Sequence, residues 1–319
     1  MYLCLWFLNF GFMGVLNILD RLGGMRGGVL SLLDKLIGGG ACFCRRFVPV
    51  GQTRRVNSPL RWTWQLKSPL LVGVLILGVS AGVFAQDNYE IQVYGADLVA
   101  PKRTMVELHS NFTFNGGMSI VDGVYPDNHV FHETIEITHG FNEWLEVGFY
   151  LFNSIGSDDR TQYVGSHIRP RVRLPESYHF PLGLSMSAEV GWQKREFSVN
   201  DWTLELRPVI DKKWDKWYVA FNPTFDKALH GLEADKGFVF SPNFKASYQV
   251  SKKYSPGIEY YGAVGPLGHL DPYANQTHQL FLSLDADYSE DWEFNVGVGY
   301  NFVPEVGAVM VKMIIGRRF

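Results

Sequence analysis

Cysteine is nearly absent from this sequence: its three cysteines, Cys4, Cys42 and Cys44, all lie before residue 86. A chain without cysteine beyond that point forms no stray disulfides, which suits an exported protein in an oxidising compartment. Cys42 and Cys44 have the spacing of half a metal site, but no second cysteine pair or suitable histidine cluster accompanies them. The sequence therefore predicts no metal site and no cofactor.

Charged residues are also scarce. Asp, Glu, Lys and Arg make up 19% of the chain, against about 25% in an average soluble protein. This shortage indicates that much of the surface faces something other than water, while a mean hydropathy of −0.04 argues against a bundle of membrane helices. A chain with 33 Gly, 23 Phe, 15 Tyr and 9 Trp and only mild hydrophobicity is typical of alternating strands.

Enzyme motifs are missing as well, including G-x-S-x-G, H-E-x-x-H, the P-loop and G-x-G-x-x-G. A Ser–His pair on one face of a strand needs a serine two residues from the histidine, but neither His139 nor His278 has one there. Ser110 follows His109 directly, and adjacent strand residues point to opposite faces. We therefore expect no catalytic activity.

Positive charge is concentrated at the start of the chain. Residues 1–85 contain nine Lys/Arg against two acids, and the remainder contains 20 against 30. The acidic remainder would repel phosphate, which disfavours nucleic-acid binding. Basic residues up to Lys67 precede an apolar run at 70–79, and small residues lead to Ala85. This pattern predicts a signal peptide over residues 56–85 and a mature chain that begins near Gln86.

Residues 1–55 are apolar and rich in glycine, and they precede this leader. An incorrectly assigned upstream start codon explains them, and so does a membrane-associated extension built on residues 3–36. We favour the start codon and infer no function from these residues.

From Arg103 onward, apolar and polar residues alternate with a period of two, which is the signature of strands. In 292–302, for example, Phe294, Val296 and Val298 alternate with Glu293 and Asn295. Most such segments have the 10–13 residues that a tilted strand needs to cross a bilayer, and their number, twelve, is even as in bacterial barrels. The predicted strands are 104–115, 130–141, 144–153, 161–174, 182–194, 201–211, 217–226, 237–249, 256–263, 276–288, 292–302 and 308–319.

Long and short connections alternate between these segments, as in barrels with long outer loops and short periplasmic turns. The longest are 116–129 and 264–275, and the shortest is Asn142-Glu143, whereas 175–181 is too long for the pattern. Trp and Tyr beside the short turns predict an aromatic girdle at the membrane interface. The alternative is aromatic pairs on an ordinary β-sandwich.

Prolines conflict with regular strand pairing because they cannot donate to a ladder. Pro170, Pro208, Pro223 and Pro242 all fall inside predicted strands. Pro223 and Pro242 fit the fold if they lie near the membrane rim, but no such explanation applies to Pro170.

The last strand ends on Phe319, with Val311, Met313 and Ile315 alternating in phase with it. This strand resembles the C-terminal signal that outer-membrane β-barrels of Gram-negative bacteria present to their assembly machinery. Arg317 departs from that pattern, because an apolar residue is usual there. The resemblance implies an antiparallel transmembrane β-barrel in the outer membrane, with lipid and the assembly machinery as its partners.

In a closed barrel, the polar face of each strand points into the interior. Arg169, Arg171 and Arg173 form a row on one strand. Glu189 and Glu205 come inward from the next two strands, which makes cross-strand ion pairs with that row possible. The predicted lumen-lining residues are Arg169, Arg171, Arg173, His167, Glu189, Glu205, Arg207, Glu136, Glu146, Lys245, Glu259 and Asp285.

A charged lumen predicts a porin-like channel for passive diffusion of small solutes, gated by the loops 116–129 and 264–275. Two alternatives are a plugged structural or adhesive barrel, in which the charges form a pillar of ion pairs, and an outer-membrane hydrolase. If the arginine row acts in conduction, replacing it with Gln shifts ion selectivity away from anions. If the row belongs to a pillar, the same replacement prevents folding.

Overall fold

The computed structural model describes residues 88–156, 161–303 and 309–319, so the predicted extension (1–55) and signal peptide (56–85) lie outside the described residues. The described residues form twelve strands and two 3-10 helices, Glu176–Tyr178 and Tyr273–Asn275. The strands are β1 (Thr104–Thr113), β2 (Val130–Asn142), β3 (Leu145–Ile155), β4 (Thr161–Arg173), β5 (Gly183–Gln193), β6 (Trp202–Trp214), β7 (Trp217–His230), β8 (Val239–Tyr248), β9 (Tyr254–Ala263), β10 (Thr277–Ala286), β11 (Trp292–Asn301) and β12 (Val309–Arg318).

Each strand pairs in antiparallel fashion with the next, and β12 pairs with β1, so the sheet closes into a barrel. The prediction of a twelve-stranded antiparallel barrel is confirmed. No helix within the described residues has the length and apolar character needed to cross a membrane.

The two faces of the barrel are inverted relative to those of a soluble protein. On β11, Val296 and Val298 are 43% and 55% exposed on the outside, whereas Asn295 and Asn301 are buried inside. Successive side chains of a strand point to opposite faces. The alternation of apolar and polar residues along the strands therefore places apolar side chains outside and polar ones inside around the barrel. A closed barrel satisfies all its backbone hydrogen bonds internally, and apolar side chains on its outer surface suit contact with the hydrocarbon of a bilayer.

The two ends of the barrel differ in their connections. At one end, the short-turn end, neighbouring strands are joined by Glu143-Trp144, Asp215-Lys216, 249–253 and 287–291. At the other, the long-loop end, the connections include 114–129 and 264–276. Short turns mark the periplasmic side of bacterial barrels. The connection 174–182 lies at the short-turn end and is the exception that the sequence predicted.

The barrel closes where the last strand meets the first. The backbones of Thr104 and Phe319 exchange N–H···O bonds of 2.8 and 3.3 Å. The Arg317 guanidinium lies 5.3 Å from the ring centroid of Trp292 and 4.8 Å from that of Phe319. A cation over aromatic faces is stabilising, so the basic residue in the C-terminal pattern packs into the aromatic surface at the short-turn end.

Pro170 and Pro208 are accommodated because the sheet is interrupted on one side of each. Pro170 is opposite Val147 of β3, but the β4–β5 pairing skips from Ile168 to Arg171. Pro208 is opposite a residue of β5, while the β6–β7 pairing contains no partner for it. A missing N–H is tolerated where no partner strand requires it.

Pro223 and Pro242 are opposite each other across β7 and β8. The pairing of β7 with β6 skips Pro223, and the pairing of β8 with β9 begins only after Pro242. The prediction that Pro223 lies near the rim is wrong, because β7 continues to His230 and Pro223 is in the middle of the strand.

Candidate functional site: the barrel lumen

Residues 88–99, which precede the first strand, run through the barrel interior and are called here the lumen segment. At the long-loop end, Asn111 of β1 donates to the Asn88 carbonyl (2.8 Å) and Thr134 of β2 to the Tyr89 carbonyl (2.7 Å). In the middle, the side chain of Asn222 on β7 accepts from the N–H of Tyr94 (2.7 Å) and donates to its carbonyl (3.0 Å). Side chains therefore replace a neighbouring strand as the partners of this backbone.

The same arrangement continues to the short-turn end. The Arg171 guanidinium on β4 donates to the carbonyls of Gly95 (3.0 Å) and Asp97 (2.6 Å). A carboxylate oxygen of Glu146 on β3 accepts the N–H of Val99 at 2.7 Å. Since polar side chains from strands on several sides bind one extended segment, the lumen is built around it.

Apolar side chains of the lumen segment also have inward-facing partners. Ile91 and Val93 pack with Ala220, Tyr261 and Phe281. Tyr89 packs in a second cluster with Tyr150, Phe152 and Val164, and Ala96 packs in a third with Val209. These clusters bury apolar surface that would otherwise face water inside the lumen, so they stabilise the segment where it lies.

A turn at residues 100–103 connects the lumen segment to β1. Lys102 donates its N–H to the carbonyl of Gly140 on β2 at 2.7 Å. A Cβ atom at Gly140 would overlap the carbonyl oxygens of Val99 and Ala100. Glycine is therefore required here by the close approach of two backbones, and this contact anchors the segment at the short-turn end.

The arginine row on β4 lies in the lumen, but its partners differ from the predicted ones. Arg169 Nη2 is 2.8 Å from Glu136 Oε1 and 3.5 Å from Glu146 Oε1, and Arg171 Nε is 2.8 Å from Glu146 Oε1. Arg173 lies nearer the exposed end and contacts Asp97 at 3.3 Å and the exposed carboxylate of Glu176 at 3.1 Å. These contacts do not include the cross-strand pairs with Glu189 of β5 and Glu205 of β6 that the sequence made possible.

Strand register accounts for the difference. Glu146 is directly opposite Arg171, whereas Glu189 of β5 is directly opposite Glu205 of β6. Those two acids have their own partners, because His167 Nδ1 is 2.5 Å from Glu189 and Arg207 donates to Glu205 at 2.7 Å. The predicted lumen residues thus form several separate ion pairs between neighbouring side chains rather than one continuous row of pairs along the arginines.

The remaining predicted lumen residues form a second charged group. Lys245 Nζ lies 3.1 Å from Glu259 and 2.7 Å from Asp285. Lys312 also binds Glu259 and donates to the carbonyl of Ile91 in the lumen segment at 3.0 Å. This second group therefore holds the segment from the side opposite the arginines.

A cavity of about 440 Å³ occupies the short-turn end of the lumen beside the lumen segment. Its walls carry both signs of charge, and they reach the turn residues Lys216 and Gln249. The charged residues at its wall include Arg171, Lys213, Lys216, Lys245, Arg318, Asp211, Asp285, Asp287 and Glu293. A cavity wall of this composition favours water and small polar solutes over apolar ones.

No protein-family model and no curated protein sequence matches this chain. Among solved structures, it is similar to the KdgM porin (TM-score 0.46, 12% identity), over 67% of this chain and 99% of the porin. It is also similar to an outer membrane channel from Pseudomonas putida F1 (TM-score 0.48, 11% identity), over 72% of this chain and all of that one. An active-site mutant of outer membrane phospholipase A from Escherichia coli (TM-score 0.44, 10% identity) is matched over 69% of this chain and 91% of the phospholipase.

These similarities concern the barrel fold alone. A closed antiparallel barrel with an apolar outside and a charged inside requires a bilayer around it. An even number of strands with short turns at one end and long loops at the other is the architecture of bacterial outer-membrane barrels. The chain is an outer-membrane β-barrel protein whose lumen contains a segment of its own sequence.

Proposed function

We propose that this protein is a porin-like channel for small polar solutes, in which the lumen segment acts as an internal plug that has to move for solutes to pass. The observation that carries the proposal is a charged lumen that contains an extended segment held by side chains. Those hydrogen bonds can be exchanged for bonds to water one at a time, because residues 88–99 pair with none of the twelve described strands.

The cavity supports the same function. Its walls carry positive and negative side chains, so it favours small ionic or zwitterionic solutes over apolar ones. Flow through such a lumen is passive, driven by the concentration difference across the membrane.

The plugged structural barrel remains a second candidate, since the apolar clusters around Ile91 and Tyr89 give the segment a stable position. The two functions differ in whether the segment moves. If the protein is a channel, weakening the anchor of the lumen segment increases the time that the channel spends open. A structural barrel passes no current, whether or not the segment is anchored.

The variant Gly140→Ala tests this difference. Its added methyl group overlaps the carbonyl oxygens of Val99 and Ala100 and so pushes the lumen segment from its anchor. In planar bilayers, we expect rare openings from the intact mature protein and openings that are roughly tenfold more frequent from the variant. The control is Gly237→Ala, because a Cβ atom there meets nothing within 4 Å. No current at any voltage from any of the three proteins would overturn the channel proposal.

We infer also that Phe319, with Ile315, Met313 and Val311, forms the signal for barrel assembly. Phe319→Ala keeps the backbone bonds to Thr104 and removes only the ring, so we expect a lower yield of assembled barrel in cells. Phe141→Ala is the control, since both rings lie at the short-turn end and are 54% and 53% exposed for Phe141 and Phe319 respectively. The measurement is the fraction of outer-membrane protein that migrates faster unboiled than boiled, and equal fractions for the two variants would contradict the assignment.

A further inference from the structure

Three side chains that could hold a metal ion converge on the lumen face of β1 and β2. Glu107 and His109 are two residues apart on β1 and share its inner face, and Glu136 is directly opposite Glu107 on β2. One ligand atom from each of the three lies within 4.8 Å of the other two. His109 Nε2 and Glu136 Oε2 are 3.3 Å apart, about the separation expected of two ligands that bind one zinc ion at roughly 2.0–2.2 Å.

Burial makes this cluster unusual. His109 is fully buried, and Glu136 and Glu107 are 1% and 5% exposed. His109 Nδ1 and Glu107 Oε1 have no hydrogen-bond partner among the described residues, and His109 Nε2 contacts Glu136 Oε2 at 3.3 Å without the geometry of a full hydrogen bond. Buried polar atoms of this kind are normally satisfied, and each unsatisfied one is destabilising. A fully buried histidine that lacks a well-formed hydrogen bond and lies beside two carboxylates therefore points to a ligand.

The other oxygen of Glu136 orients the site. Its Oε1 accepts hydrogen bonds from Arg169 Nη2 (2.8 Å) and from the hydroxyl of Thr138 (2.7 Å). These two bonds fix the carboxylate and leave Oε2 directed at His109. Supporting contacts that hold a metal-binding carboxylate in place are a regular feature of metal sites.

Charge favours a cation at the same position. Two carboxylates directly opposite each other on paired strands repel, and Arg169 is shared between Glu136 and Glu146. No ion pair to Glu107 occurs within the part of the chain that the structure describes. A divalent cation between the three side chains would compensate this carboxylate.

The site can be reached from the periplasm, because Glu107 and Glu136 form part of the wall of the cavity at the short-turn end. One imidazole nitrogen with two carboxylates suits zinc and similar first-row divalent cations, whereas calcium and magnesium prefer oxygen ligands alone. We propose that Glu107, His109 and Glu136 form a binding site for a divalent transition-metal cation inside the barrel.

Zinc titration of the purified, untagged mature barrel in detergent, after EDTA treatment and dialysis, tests this site. We expect one zinc ion per chain by calorimetry and a higher temperature of unfolding with zinc. His109→Gln and Glu107→Gln should each weaken binding by roughly tenfold or more. His132→Gln is the control. His132 is also buried in the lumen and its ring has no hydrogen-bond partner in the described part of the chain, but it lies outside the cluster.

Glu107→Gln keeps the test independent of folding defects. It replaces a buried, unpaired carboxylate with a neutral group of the same shape, so without metal it should unfold at the same or a higher temperature than the parent. Zinc should then raise the unfolding temperature of the parent and of His132→Gln but not that of Glu107→Gln. Equal zinc affinity in the parent, His109→Gln and Glu107→Gln would overturn the proposal and assign the bound metal to other residues.

Discussion

Removal of residues 88–99 is expected to convert a mostly closed barrel into an open one, with an ion conductance that is roughly tenfold higher or more. The lumen segment runs from Asn88 at the long-loop end to Val99 at the short-turn end, and strands on several sides of the barrel contact it. Without it, the charged walls face water, and ions gain a path that the segment now occupies.

The barrel should survive this deletion because its closure depends on other contacts. All twelve strand pairings connect residues after Arg103. Arg171 loses two carbonyl partners but keeps its ion pair with Glu146. Faster migration of the unboiled sample on a gel shows that the deletion variant has formed a closed barrel. Bilayer recordings are interpreted only for protein that passes this check.

A disulfide that fixes the lumen segment to the barrel wall should have the opposite effect to its removal. The region from residue 86 onward has no cysteine, so Ala96→Cys combined with Val209→Cys introduces one pair, at positions that belong to the same apolar cluster. Added to Gly140→Ala, the oxidised pair should suppress the openings, and reduction should restore them. A folded deletion variant that carries no current would contradict the channel proposal and favour the structural barrel.

The strand pattern was predictable because alternation is a local property. In 292–302, for example, the alternation of apolar and polar residues is enough to place Val296 and Val298 on one face of the strand and Asn295 on the other. Twelve repetitions of such a segment with alternating long and short connections leave few arrangements other than a closed barrel. Even the misjudged end of β7 is a boundary error of a few residues.

The content of the lumen was not predictable in the same way. Residues 89–94 alternate too, with Tyr89, Ile91 and Val93 separated by polar residues, and local pattern alone cannot distinguish a strand of the wall from a segment threaded inside it. The signal that could have found the segment is that a thirteenth alternating stretch breaks the even count.

Pairing between distant residues was the other source of error. Which acid meets Arg171 depends on the register of β3 against β4, and Glu107 meets Glu136 only through the register of β1 against β2 across the connection 114–129. The alternation excludes a slip of one residue, which would send every side chain to the other face. A slip of two residues keeps the faces and changes every partner, so the pattern alone does not assign which residues are opposite each other. The proposed metal cluster was therefore not visible in the sequence.

Two replacements in the arginine row, Arg169→Gln and Arg173→Gln, should differ sharply in stability although they lie on the same face of the same strand. Arg169 is 2% exposed and Glu136 is 1% exposed, so loss of the guanidinium leaves a buried carboxylate without its counterion at a cost of about 3–5 kcal/mol. The guanidinium also lies 4.5 Å from the ring centroid of Tyr94 in the lumen segment, so its removal weakens the plug as well as the wall.

Arg173 is the matched control because its partners Asp97 and Glu176 are 90% and 85% exposed. Water solvates those carboxylates when the arginine is removed, so the expected loss is no more than ~1 kcal/mol. Urea unfolding of both variants in detergent with EDTA measures the difference without a cation to offset it. Equal, small losses would show that the ion pairs of Arg169 add no net stability. The whole row could then act in ion selectivity, and replacing all three arginines with Gln should shift selectivity away from anions.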